Sequence, residues 1–121
     1  MAELAKTIVG DGQAQNALEL INDKWAVAIL QQLKQSNHHY GELLREVEGI
    51  TKKMLTQTLR TLERNGIIQR HEYDEGKINR VVYGLTPLGE SLAEQLTHIC
   101  MWSLENMGIV RLSQEEFDGQ L

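Results

Sequence analysis

Lys52, Lys53, Thr56, Gln57 and Arg60 are spaced so that, on a helix, they lie largely on one side, and no carboxylate interrupts them before Glu63. Their chemistry is hydrogen-bond donation: ammonium and guanidinium groups for anions, a hydroxyl and an amide for polar edges. A solvated surface helix usually mixes both charge signs, because i,i+4 ion pairs help to hold it. Here the acid is missing over the first three turns, which points to a partner that is itself an anion. The competing reading is a solvated face on which cations cluster by chance. Arg64 continues the same polar side.

The charge distribution bears on that choice. The chain has 121 residues and a net charge of −5, with 41% hydrophobic and 24% charged residues, an ordinary globular composition with one domain's worth of core. Between Thr51 and Arg80 seven basic residues meet four acidic ones, a net +3; the remainder, with five basic and thirteen acidic residues, is net −8. A basic stretch on an acidic body can hold phosphates where it faces them and resist indiscriminate coating elsewhere.

The elements that must position these side chains are marked by local signals. Gly49 suits the left-handed end of one helix and Thr51 the N-cap of the next. Ile50 before the cap and Leu55 four residues into the helix match a hydrophobic staple. Two short helices joined by such a turn are the sequence form of a helix-turn-helix. The second helix is expected from about Lys52 to Asn65, with Leu55, Leu59 and Leu62 as its buried face and Asn65-Gly66 as its stop. The first begins at Gly41-Glu42 and turns Leu43, Leu44 and Val47 inward.

Upstream, residues 1–12 read as a loose arm and Ala14, Ala17, Leu18 and Ile21 as a first helix. Asp23 caps a second helix in which Trp25, Ala26, Ile29, Leu30 and Leu33 form a wide apolar stripe, with Trp25 a core anchor in preference to a ligand-stacking ring. His38-His39-Tyr40 is expected to form a brief strand. Adjacent side chains there cannot converge on a metal, so both histidines are expected at the surface and no metal site is expected.

Downstream, Ile67–Tyr73 and Asn79–Leu85 form two strands joined by Asp74-Glu75-Gly76-Lys77, a hairpin wing. Lys77 at the tip, with Arg70 and Arg80 at the base, can meet flanking phosphates, and Asp74 and Glu75 oppose that. Thr86-Pro87 opens a last long helix of about 20 residues, spanning roughly 30 Å. Its apolar positions widen toward Trp102, Leu104 and Met107, as expected of a face buried against another subunit. Ser113-Gln114-Glu115-Glu116 fits the capping box of a further short helix.

In this order the residues resemble the HxlR-type winged-helix regulators, a bacterial-type family. The matching residues are Asp23-Lys24-Trp25, Tyr40-Gly41-Glu42-Leu43, the dense run from Gly49 to Arg60, then Leu62-Glu63, Gly66-Ile67, Arg70 and Val82-Tyr83-Gly84-Leu85-Thr86-Pro87-Leu88-Gly89. The similarity spans roughly Gln13 to Trp102. It implies a mainly α fold with a β-hairpin wing (α+β), divided into an arm (1–12), a DNA-binding core (13–86) and a dimerisation segment (87–121). It also implies a homodimer that sets one recognition helix per subunit into successive major grooves of double-stranded DNA. The candidate DNA-contacting residues are then Thr51, Lys52, Lys53, Thr56, Gln57, Arg60, Arg64, Arg70, Lys77 and Arg80. Within that set Gln57 and Arg60 suit base edges, and Lys52 and Lys53 suit the backbone. The candidate dimer interface is Leu96, Ile99, Cys100, Trp102, Ser103 and Met107.

The chain departs from its resemblance at one point. Several members sense oxidants through a cysteine just before the first helix, where this chain reads Asp11-Gly12-Gln13-Ala14. Its lone Cys100 is expected to pack in an apolar setting that raises the thiol pKa. The expected function is therefore a DNA-binding transcriptional regulator, a repressor in the first instance, with no cofactor and with any small-molecule effector unidentified. The alternatives are a protein-interaction winged helix and a small-molecule sensor without a redox cysteine. A single cysteine fits the reducing cytoplasm. There is no run of 18 apolar residues, no secretory-type start, no phosphate loop, no nucleophile elbow and no paired carboxylates with a base, so neither a membrane span nor an enzyme is expected.

Overall fold

A leucine stripe, a glycine turn and a two-stranded ribbon organise the chain. The computed structural model describes residues 19–21, 23–76 and 78–120. The elements run α1 (Lys24–Gln35), β1 (His38–His39), α2 (Tyr40–Glu46), α3 (Lys52–Arg64), β2 (Ile68–Glu75), β3 (Ile78–Leu85) and α4 (Pro87–Gly119). The fold is mainly helical with a small antiparallel sheet of order β1-β3-β2. The expected arm and most of the expected first helix lie outside the described residues.

The helix starts follow side-chain chemistry. Asp23 Oδ1 accepts from the backbone N–H of Trp25 at 2.9 Å and opens α1. The α1 stripe then buries Ala26, Ile29, Leu30 and Leu33. Trp25 is half-buried against this core, with Lys24 Nζ 4.5 Å from its ring centroid. The α2 start is held by Glu42 Oε1, which accepts from the His39 backbone N–H at 3.0 Å. That hydrogen bond is the main reason the Glu42 carboxyl titrates below its ordinary range.

His38 corrects the expectation of two surface histidines. It is only 4% exposed. Its Nδ1 lies 2.6 Å from the Ser36 carbonyl oxygen and its Nε2 2.7 Å from Glu46 Oε2. His39 turns the other way, its Nδ1 3.2 Å from the Val81 carbonyl oxygen. The rings part because neighbouring residues on a strand face opposite sides. The pair pins β1 to β3 in the register His38↔Tyr83 and His39↔Val82.

The C-terminal segment differs from expectation more widely. One helix, α4, runs unbroken for 33 residues, and no separate helix begins at Ser113. From Ile109 to Phe117 there is no glycine or proline to stop it, so a capping-box pattern there has no terminus to cap. The start of α4 is bolted to the ribbon. Thr86 Oγ1 accepts from Gly89 N–H at 3.0 Å and reaches the carbonyls of Gly66 at 2.6 Å and Ile67 at 3.0 Å. Gly89 is buried there, and a Cβ at this position would overlap the Ile67 carbonyl oxygen. The last buried residues of α4 are Ala93 and Leu96.

The core joins α1, Leu43 and Val47, the α3 leucines, Ile67, Ile68, Tyr83 and Leu96. Leu55 is at its centre with no exposed surface. Leu55→Ala removes part of a closely packed layer and is expected to cost about 2–5 kcal/mol. A urea denaturation midpoint that does not move would show that α3 is not held by this stripe.

Candidate nucleic-acid interface

The geometry of α3 follows from its two ends and its stripe. Gly49 has φ of +84°, a conformation that side chains with a Cβ rarely adopt, and the Trp25 ring lies beside it. The chain then passes Ile50, 8% exposed, and Thr51, whose Oγ1 accepts from the Met54 backbone N–H at 3.1 Å. Cap and staple together fix the direction in which the helix leaves the turn. Leu55, Thr58, Leu59 and Leu62 are buried. Lys52, Lys53, Thr56, Gln57 and Arg60 are all exposed, and with Thr61 they line a shallow depression of about 540 Å³. No acidic residue is present in the first turn, and Arg64 stands exposed in the last.

A contact from the preceding helix completes the first turns of this face. Tyr40, the first residue of α2, donates its hydroxyl hydrogen to the Lys52 carbonyl oxygen at 3.1 Å. The Tyr40 hydroxyl oxygen also lies 3.0 Å from Thr56 Oγ1. Sequence reading noticed Tyr40 only as part of a motif. Its spacing of 16 residues from Thr56 carries no periodic signal, so only the tertiary fold reveals the contact.

The wing residues divide. Arg80 is exposed and opposes Tyr73 across the ribbon. With His39, Tyr40, Gly41 and Val81 it lines a second depression of about 390 Å³, so β3 beside Arg80 and Val81 adjoins the start of α2. Arg70 is partly occupied within the chain, its Nη1 2.7 Å from Glu72 Oε1. The Tyr83 side chain, and then Glu72, hold its guanidinium above the ordinary arginine range. Lys77 lies outside the described residues.

The dimer candidates also divide. Leu96 is 3% exposed and belongs to the core of its own chain. Ile99, Trp102 and Met107 are 53%, 55% and 36% exposed, Ser103 is half-buried, and Cys100 is exposed. Cys100 is expected in an apolar setting at the dimer interface, and within its own chain it is exposed. Thr97 Oγ1 still accepts from Lys34 Nζ of α1 at 2.6 Å, and beyond it no side chain of α4 is buried among the described residues.

A turn-linked helix pair, an outward cationic helix and a hairpin on its C-terminal side form the winged helix-turn-helix arrangement. The family model described as HxlR-like helix-turn-helix matches residues 20–110. The chain belongs to the HxlR family. It is 32% identical over 103 residues to the uncharacterised HTH-type transcriptional regulator YtfH of Escherichia coli, covering 85% of this chain and 81% of YtfH. To the uncharacterised HTH-type regulator YkvN of Bacillus subtilis it is 40% identical over 84 residues, 69% of this chain and 70% of YkvN. Among solved structures, the redox regulator HypR in its reduced form superposes with a TM-score of 0.75 at 28% identity, covering 81% of this chain and 96% of HypR. This HxlR protein is thus a DNA-binding transcriptional regulator of the winged helix-turn-helix type. Among its described residues no helix is long and apolar enough to cross a membrane.

Proposed function

We propose that the protein binds a pseudo-palindromic operator as a homodimer and represses transcription from it. The observation that carries this reading is the exposed side of α3 opposite its buried leucines, which presents Lys52, Lys53 and Arg60 with no acid before Glu63. Arg60 and Gln57 suit base edges because a guanidinium fits guanine O6 and N7 and a carboxamide fits adenine N6 and N7. Lys52 and Lys53, beside the capped helix start, suit phosphates, where two positive charges and the helix dipole act together. Arg80 and Arg64 add to the same field. Arg70 adds less, because Glu72 already offsets its charge.

Dimerisation rests on the far part of α4. About 35 Å of helix follows Leu96, and it exposes Ile99, Met101, Trp102, Leu104, Ile109, Leu112 and Phe117. These residues lie all round the helix, and a helix apolar on all sides is one that is covered by a partner. A second copy suits it, since a two-fold protein matches a two-fold operator. The dimerisation segment within residues 87–121 then starts after Leu96, and Cys100 is covered only in the dimer.

Two outcomes are expected. Selection of bound fragments from random DNA recovers inverted half-sites about 34 Å apart, and Arg60→Ala relaxes one position of each half-site at a cost of about 1–3 kcal/mol. No enrichment, or a lone asymmetric site, would refute operator binding by a two-fold dimer. Separately, the double variant Trp102→Glu, Met107→Glu sediments as a monomer with an unchanged circular dichroism spectrum. A variant that remains dimeric places the interface elsewhere.

A further inference from the structure

The contact between Tyr40, Lys52 and Thr56 assigns hydrogen positions that change what Thr56 can recognise; the inference rests on the reading of α3 as the DNA-facing helix. A carbonyl oxygen has no hydrogen to give, so the 3.1 Å contact with the Lys52 carbonyl uses the single phenolic hydrogen of Tyr40. The 3.0 Å contact between the two hydroxyl oxygens is then made with the hydrogen of Thr56. The order of donation runs from Thr56 to Tyr40 to Lys52, a chain in which each bond polarises the next. Tyr40 itself is fixed, because it follows directly on the His39 N–H to Glu42 bond that starts α2.

We propose that Tyr40 is a specificity-determining residue that keeps Thr56 an acceptor-only reader of the major groove. A free threonine hydroxyl donates or accepts as required and so tolerates any base edge or a phosphate. With its hydrogen committed to Tyr40, Thr56 Oγ1 offers only a lone pair outward. Phosphate oxygens and the keto oxygens of guanine O6 and thymine O4 are acceptors and do not pair with it. The amino groups of adenine N6 and cytosine N4 are donors and do. On the strand that Thr56 faces, the site therefore discriminates adenine or cytosine from guanine or thymine.

The test is selection from random double-stranded DNA with the full-length wild type, Thr56→Val, Thr56→Ser and Tyr40→Phe. The wild type is expected to show one position favouring adenine or cytosine by about fivefold, the factor a single neutral hydrogen bond supplies. Thr56→Val abolishes that preference, which identifies the position as the one Thr56 reads, and Thr56→Ser retains it. Tyr40→Phe also abolishes it while the other positions and the salt dependence stay as they were. A preference that survives Tyr40→Phe overturns the inference. So does a wild-type preference for guanine or thymine at the position marked by Thr56→Val, an arm that stands even if Tyr40→Phe does not fold. If the wild type enriches no site at all, it is the reading of α3 as DNA-facing that falls.

Discussion

The burial of Leu55, Leu59 and Leu62 decides which way every other side chain of α3 points. These residues recur at helical spacing and are each at most 2% exposed. Fully burying such a side chain is worth about 1.5–3 kcal/mol, so rotating the helix to hide its cations would forfeit several kcal/mol and also desolvate charge. The positive face is outward because the alternative is costly twice over. From Lys52 to Leu62 that face carries no acid, so the i,i+4 ion pairs that usually support a surface helix are missing there.

A rigid frame holds this helix in place. Gly49 permits the tight turn, Thr51 closes the first turn of α3, and Tyr40 reaches from α2 to its backbone. The ribbon is fixed to the same frame at two points: through β1, which buried His38 ties to Glu46, and through Thr86 with Gly89 against the carbonyls at Gly66 and Ile67. Beyond Leu96 α4 carries no buried side chain among the described residues, although Thr97 is still tied to Lys34 of α1.

What was legible in the sequence was local. Thr51, Ile50 and Leu55 announce the start of α3, Asn65-Gly66 its end, and Thr86-Pro87 the start of α4, because caps, staples and turns act within a few residues. The two strands of the ribbon were foreseen as well, each extending a residue or two closer to the turn than expected. The misreadings were tertiary. Nothing near His38 in sequence says that its buried ring will meet the exposed carboxylate of Glu46. The Ser113 box carries the signature of a cap without a terminus, since the chain before it is already helical. Tyr40 was missed as a contact of α3 because its partners come from a different helix.

The most direct measurement is amide chemical-shift mapping of the labelled protein as a DNA duplex is added. The expected result is that the perturbed amides concentrate in residues 51–64 with the ribbon around Arg80, and that those of α4 beyond Leu96 stay still. Perturbation centred on the far half of α4, with 51–64 silent, would contradict it.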